Sequence, residues 1–361
     1  MITKTLYDLI RQSAERGLIL QKEDGSMPSG HNGPYFDTET PVRNTGHWLV
    51  TFLKVYEITG DNRFLNAASK AANYLLSEKA RPAKAAFWHR KNPEKDLSNG
   101  LIGQAWSIEA LSVAAQYCTN PDIIKTALNV FLMHPFNPET GLWHKIDLNG
   151  NDSTPDRTFN HQLWFAAAGS LLKQSSPDED IVKRLNIFMD NLEVNLNLYS
   201  SGLIVHNLEK RGKTQIKKKL LKIINKSPQD KVIYKAIGYH QFNLYAFALL
   251  KGSFPFHSFW ESNKFKSLWE YANSREYEEK LYQSEYGYPY NPPGFEMAYA
   301  LEIFGNAMID KRENQDKWIA RQILLCFDFA SGLMTKGSKD PHTQAARIYE
   351  AVRLPDLKIN L

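Results

Sequence analysis

An alternation constrains this chain more than any other feature of its sequence. Segments that are apolar on every face (HWLVTFLKVYEI, LIGQAWSIEALSVAA, QLWFAAAGSLL, FNLYAFALL, MAYALEIFG) take turns with segments charged along one face. NRFLNAASKAANYLLSEKA, DEDIVKRLNIFMDNLEV and NQDKWIARQILLCF are of the second kind. A helix that is apolar all round is buried on all sides, whereas a helix with one charged face shows that face to water. The periodicity predicts inner helices at 46–59, 100–118, 158–174, 232–251, 293–305 and 342–353. Outer helices are predicted at 3–18, 62–79, 121–133, 178–195, 263–280 and 314–330. A short motif repeats after the outer helices: ETGLWHKI at 139–146, SSGLIVHN at 200–207 and ASGLMTKG at 330–337. Its Gly-Leu opens a short extended piece, and Gly suits the positive φ that follows a helix end.

Six helix pairs predict an all-α (α/α)6 toroid with short β-hairpin loops, spanning residues 1–361 as one domain. An open α-solenoid is the alternative. In a closed ring the inner-helix N-termini converge on one mouth, and the loops before them line it. The helix starts overlay as GHW with His47, IGQAW with Gln104, NHQLW with His161, YHQFN with His240, GFEMA with Glu296 and HTQAA with Gln344.

The mouth loops carry the candidate chemistry. GHNGPYFDTETPVRNTGHW supplies Asp37, Glu39, Arg43 and His47; FWHRKNPEKDLSN supplies Trp88, His89 and Asp96; STPDRTFNH supplies Asp156, Arg157 and His161; EYGYPYNPPG supplies Tyr288 and Tyr290. Two carboxylates across a cavity are the minimum for glycosidic chemistry, one held protonated as acid and one ionised as base. Asp156 and Asp96 fit by position, with Glu296, Asp37 and Glu39 as further candidates. Capping of a helix N-terminus is the competing role for either Asp. His47, Gln104, His161 and His240 fit hydroxyl binding or proton transfer, or a hydrogen-bonded place in the core. Arg43 and Arg157 fit a bidentate grip on a substrate carboxylate, or a structural ion pair. Trp88, Trp143, Tyr286, Tyr288 and Tyr290 are stacking candidates for a sugar ring, with His89 beside Trp88. Trp106 and Trp164 lie within apolar helices and read as core.

Composition narrows the class. Apolar content of 43% with 23% charged residues describes a globular protein. The net charge of +5 is local in origin: KRGKTQIKKKLLKIINK at 210–226 holds eight Lys/Arg and no acid, so the remainder is net acidic. Nucleic acid is therefore not an expected partner. The run interrupts the fourth repeat as a basic insertion at 208–231. It reads as a membrane-surface amphipathic helix, an anionic-glycan contact or a solvated surface helix. Cys118 and Cys326 imply buried free thiols, not a disulfide framework. No HExxH motif, Cys cluster or nucleotide-binding loop is present, so neither a metal nor a cofactor is expected. The charged N-terminal pattern is not a signal peptide and no apolar run is long enough to span a bilayer. These features predict a cytoplasmic location, peripheral at the inner membrane surface if the basic run binds lipid.

SNGLIGQAWSIEAL and DRTFNHQLWFAAAG resemble the unsaturated glucuronyl hydrolases of glycoside hydrolase families 88 and 105. GHNGPYFDTETPVRNTGHWL, FWHRKNPEKDLSNGLIGQAW and YNPPGFEMAYALEIFG are similar to uncharacterised proteins of prokaryotic glycan-assembly clusters, across most of the chain. The first resemblance implies addition of water to an unsaturated uronic acid with a loop Asp at the mouth, the position of Asp156 and, after it, Asp96. The N-acetylglucosamine 2-epimerases and uronyl C5-epimerases share a similar ring, and the 2-epimerases use a His pair, for which His161 and His240 are the candidates. The expected function is thus a hydrolase acting on a uronic-acid-containing oligosaccharide or lipid-linked glycan in polysaccharide or glycoconjugate biosynthesis. A sugar epimerase or isomerase is the second reading, and a non-catalytic glycan-binding scaffold the third.

Overall fold

A computed structural model describes residues 3–208, 227–305 and 310–360. The basic run at 210–226 lies outside the described residues. The inner helices are α2 (Val42–Thr59), α4 (Gly100–Ala114), α6 (Phe159–Ser175), α8 (Ser227–Ser253) and α11 (Pro293–Phe304). The sixth inner segment is the short α13 (Pro341–Ala346), which continues as a 3-10 turn over Arg347–Ala351. Each inner segment packs on the next, and the 3-10 turn and α13 pack on α2, which closes the ring. The outer layer is α1 (Leu6–Leu20), α3 (Asn62–Leu76), α5 (Pro121–Met133), α7 (Glu179–Asn195), α9 (Asn263–Ala272) with α10 (Arg275–Gln283), and α12 (Lys311–Cys326). The fold is an (α/α)6 toroid.

The local chemistry explains these elements. In α4 nearly every residue is buried, including Gln104 and Glu109. Outer helices begin on side-chain caps: Asp61 accepts from the Arg63 N–H, Asn120 from Asp122 and Asp178 from Ile181. The predicted helix 263–280 is two helices. Asn273 ends the first and the Ser274 hydroxyl accepts from the Tyr277 N–H to start the second. The predicted 342–353 helix tightens to 3-10 geometry at Arg347.

Of the three Gly-Leu pieces, only the first forms a full strand. Strands β2 (Phe136–Asn137), β3 (Leu142–Ile146) and β4 (Asp152–Pro155) make a small antiparallel sheet. The others form single bridges, Leu198 with Ile204 and Asp328 with Leu333. The glycines behave as expected, with φ of 67° at Gly141, 95° at Gly202 and 73° at Gly332. A Cβ at Gly202 would also sit 2.4 Å from the Ser267 carbonyl oxygen. The sequence pattern does not signal one further pairing: β1 (Thr3–Thr5) lies antiparallel to β5 (Lys358–Asn360), Thr3 opposite Asn360. Among the described residues no helix is long and apolar enough to cross a membrane.

Candidate active site

Five of the six inner segments and the turn before α11 line one cavity of about 170 Å³. Arg43 comes from α2, Trp106 from α4, Asn160 and His161 from α6, Tyr239 from α8, Asn291 from the turn before α11, and Arg347 from the turn after α13. Loop residues Asn32, Tyr35, Arg90, Asn99 and His206 complete the wall with Lys235 of α8.

The centre of the site is a pair. Asp156 ends the β4 loop, buried, and its Oδ2 lies 2.8 Å from His161 Nδ1. The same oxygen accepts from the Leu101 N–H and Oδ1 accepts from the Thr158 N–H. Burial opposes the charge on Asp156, but His161 and these backbone donors outweigh it and hold the carboxyl well below its usual range. Asp156 is therefore ionised and fully engaged. Gly100 makes room for it, since a Cβ there would stand 2.6 Å from Oδ2. The His161 ring lines the cavity, and with Nδ1 donating to the carboxylate its Nε2 is left for whatever the cavity holds.

Cations dominate the rest of the wall. Arg43 is 1% exposed. Its Nη1 donates to Asn32 Oδ1 at 2.9 Å, and its guanidinium lies 4.2 Å from the Trp106 ring centroid. Nε and Nη2 of Arg43 have no acceptor among the described residues. Arg347 donates to Asn291 Oδ1 and to two buried acids behind it, Glu296 and Glu350. The Lys235 ammonium sits 5.0 Å from the Tyr35 ring centroid, and burial lowers its pKa. Arg90 is the fourth cation. Among the described residues no carboxylate lines the cavity. His206 also lines the wall; burial, with Lys235 nearby, pushes its pKa down to about 3, so it is neutral. Three tyrosines close one side: the Tyr35 and Tyr239 hydroxyls lie 2.9 Å apart, and the Tyr290 hydroxyl donates to Asn32.

The structure brings Arg43, His161 and Tyr290 together at the cavity with Asp156 directly behind. It places the other sequence candidates elsewhere. Asp96 accepts from Ser98 and the Gly100 N–H, capping the turn into α4, with Lys145 at 3.5 Å. His240 faces outward: Nε2 donates to the Leu268 carbonyl and Nδ1 meets the Ile204 N–H, so it is a core histidine. Glu296 lies below the cavity, paired with Arg347. Asp37 is held by Arg90 and Lys95, and Glu39 sits beneath Arg43 at 3.5 Å. His47 is buried against the Tyr349 ring, 4.0 Å between centroids. His89 is buried beside Ser107 Oγ, and the Trp88 Nε1–H donates to the Arg90 carbonyl, away from the cavity. Arg157 points to solvent. Tyr288 packs near Tyr282, outside the ring mouth. Trp143 is wholly buried, while Trp106, read as core, lines the cavity.

Gln104 shows why the helix-start overlay misled. Its amide brackets the preceding loop, accepting from the Phe87 N–H and donating to the Phe87 and Ser98 carbonyls. Gln162, not His161, repeats this with Trp143 and Asp156. His240 makes the corresponding contact to Ile204. His161 stands one position earlier in its repeat, where Tyr239 stands in the next, and that register faces the cavity.

Several enzymes with sugar substrates in their names share this six-hairpin toroid. D-mannose isomerase has the same fold (TM-score 0.66, 14% identity, 96% of this chain and 97% of that one). So does the cellobiose 2-epimerase of Bacillus thermoamylovorans B4167 (TM-score 0.65, 12% identity, 96% and 98%). An unsaturated glucuronyl hydrolase specific for heparin shares it as well (TM-score 0.60, 9% identity, 96% of each chain). No family model matches the sequence. Archaeal glycosylation protein Q of Haloferax volcanii is 46% identical over 99% of both chains. The chain belongs to the family of archaeal glycosylation protein Q.

Proposed function

We propose that this protein is a glycan-processing enzyme that moves a proton on an acidic sugar, as an isomerase or epimerase. One observation carries the reading: a carboxylate-backed imidazole opens onto a cavity that, among the described residues, is walled by four cations and no carboxylate. The name of the Haloferax volcanii relative, a glycosylation protein, supports a glycan substrate.

His161 Nε2 takes a proton from the carbon next to the sugar's carbonyl or carboxylate group. Asp156 steadies the imidazolium that results. The electron pair left behind becomes an enediolate, whose charge falls to the guanidinium groups of Arg43 and Arg347. Returning the proton from the same nitrogen to the neighbouring carbon, while the hydroxyl proton on O2 passes to O1, isomerises an aldose to a ketose. Returning a proton to the same carbon from the opposite face, from a second donor such as a lining tyrosine hydroxyl, inverts the centre. The acidic group of the sugar meets the free donors of Arg43.

Hydrolysis by paired carboxylates needs one carboxylic acid kept protonated at the cavity. Asp156, the candidate for that task, is held ionised and behind His161, so the geometry favours proton transfer by the imidazole. In this reading the glycan is lipid-linked and the basic run at 210–226 meets the inner membrane surface.

The test is NMR of the purified protein with free uronic acids and uronate oligosaccharides, saturated and unsaturated, in deuterated water. Deuterium entering a ring or chain carbon without cleavage is expected, and its loss in His161→Gln would assign the base. Disappearance of a vinyl H4 signal, with no exchange elsewhere, would restore the hydrolase reading.

A further inference from the structure

We infer that a second binding site, for a neutral sugar unit, lies on the far side of Tyr290 from the cavity. It rests on the reading above and names the neighbour of the acidic sugar. A smaller pocket of about 110 Å³ shares Tyr290 with the cavity wall and runs between Pro34, Phe36, Pro289 and Gln344. Gly33 allows the two to lie so close, because a Cβ there would stand 2.1 Å from the Tyr290 ring.

Two features give this pocket its chemistry. Phe36 is 64% exposed, at a φ of 48° that side chains rarely adopt. Its ring stacks on His31, 5.1 Å between centroids and 9° between planes. The protein thus holds a large ring in water on a strained backbone, braced from behind. The Lys339 ammonium stands 5.9 Å from its centroid at the rim, on an exposed side chain. Gln344 is the second feature. It occupies the position at which Gln104 and Gln162 bracket their loops, yet at 1% exposure neither its Oε1 nor its Nε2 has a partner among the described residues. An unsatisfied buried amide is costly. A ligand hydroxyl, able to donate to the oxygen and accept from the nitrogen, satisfies both atoms. A flat ring beside a two-way amide suits a pyranose, whose one face is apolar and whose edge carries hydroxyls.

Charge separates the two sites. The cavity holds four cations and no acid, whereas this pocket is lined by Glu285, Asp340 and Lys339. Asp340 is itself occupied by the N–H groups of His31 and Gly33. A uronate is drawn to the first and a neutral hexose to the second.

Saturation-transfer NMR with the methyl glycosides of glucose, mannose and galactose tests this without calling on the cavity. At least one glycoside is expected to receive saturation. The signal should fall at least fivefold in Phe36→Ala, an exposed position that does not endanger folding, and in Gln344→Ala, while Arg43→Gln keeps it. No transfer to any glycoside, or transfer unchanged in Phe36→Ala, overturns the inference. Binding of glucuronic acid, lost in Arg43→Gln and kept in Phe36→Ala, reports separately on the cavity, so failure of one claim is distinct from failure of the other.

Discussion

Asp156 Oδ2 and His161 Nδ1 are 2.8 Å apart, and the same oxygen accepts from the backbone of α4. That contact fixes which imidazole nitrogen faces the cavity. Asp156→Asn keeps the shape and removes the charge that steadies an imidazolium. Turnover is expected to fall roughly 10²–10⁴-fold, the usual worth of general acid–base catalysis, with substrate affinity little changed. His161→Gln should fall at least as far. A deuterium-exchange time course on the wild type and both variants, beside a binding isotherm, measures the split. Equal loss of binding and turnover would show Asp156 to be only a structural brace.

Arg43 has two buried donors without protein acceptors and a third on Asn32. A planar fork of that kind is not replaced by an ammonium. Arg43→Lys should weaken glucuronic acid binding about 10–100-fold, as expected for about 1.5–3 kcal/mol from a charged hydrogen bond, and Arg43→Gln at least as much. Affinity for a neutral hexose should not change. Calorimetric titration of each sugar checks both statements.

Beneath Arg347 lie two buried carboxyls, Glu296 and Glu350, sharing one guanidinium. Burial and the neighbouring acid push Glu296 well above its ordinary range. A carboxyl raised on folding binds more proton in the native than in the unfolded state. Its stabilising effect is complete below the unfolded value near 4.3 and is lost as pH rises toward the folded value. Glu296→Gln removes that dependence, so its melting temperature should gain on the wild type between pH 5 and pH 8. Arg347→Met strands both acids and should cost about 3–5 kcal/mol. Thermal unfolding across pH tests the pair of substitutions.

Buried histidines give the opposite slope. Burial lowers His134 and His240 to about 4 and His89 and His206 to about 3, and His47 also falls well below its usual value. A histidine lowered on folding binds less proton in the native state. Stability is therefore full above the unfolded value near 6.5 and declines as pH drops toward 4, by up to about 1.4 kcal/mol per pH unit for each group. Circular dichroism during acid titration should show cooperative unfolding that begins above pH 4. A melting temperature that stays flat from pH 7 to pH 4 would contradict this.

His240 can be told from His161 by substitution. Its contacts are those of Gln104 and Gln162 in their own repeats. His240→Gln should keep both fold and turnover, whereas His240→Ala should lose about 2–4 kcal/mol of stability through a cavity and an unmet backbone N–H. Activity per folded molecule, from denaturant titration and turnover on one preparation, separates the roles.

The alternation of all-apolar and one-faced helices made the ring legible, because burial on all sides leaves its mark on every residue of a helix. The site was harder to read. Arg43, Asp156, His161 and Tyr290 stood out because polar groups before a helix are conspicuous. Arg347 did not, since it sits within AARIYEAV, where the spacing suggested an ordinary inner helix. Asn32 and Arg90 lay in loops whose acids and aromatics drew attention first. His161 was aligned with Gln104 when Gln162 was its equivalent, and a shift of one residue on a helix turns a side chain by about 100°. Sequence order places polar groups near the mouth, but only the packed ring decides which of them face inward.

The pairing of Thr3 with Asn360 has a bearing on biogenesis. The toroid is sealed where its sixth hairpin meets its first, so the five earlier hairpins can stack as an open arc before the sixth is made. Arg347 belongs to that last hairpin. The cavity thus gains the Arg347 guanidinium only once the sixth hairpin has been made, and its wall is incomplete before the ring has closed.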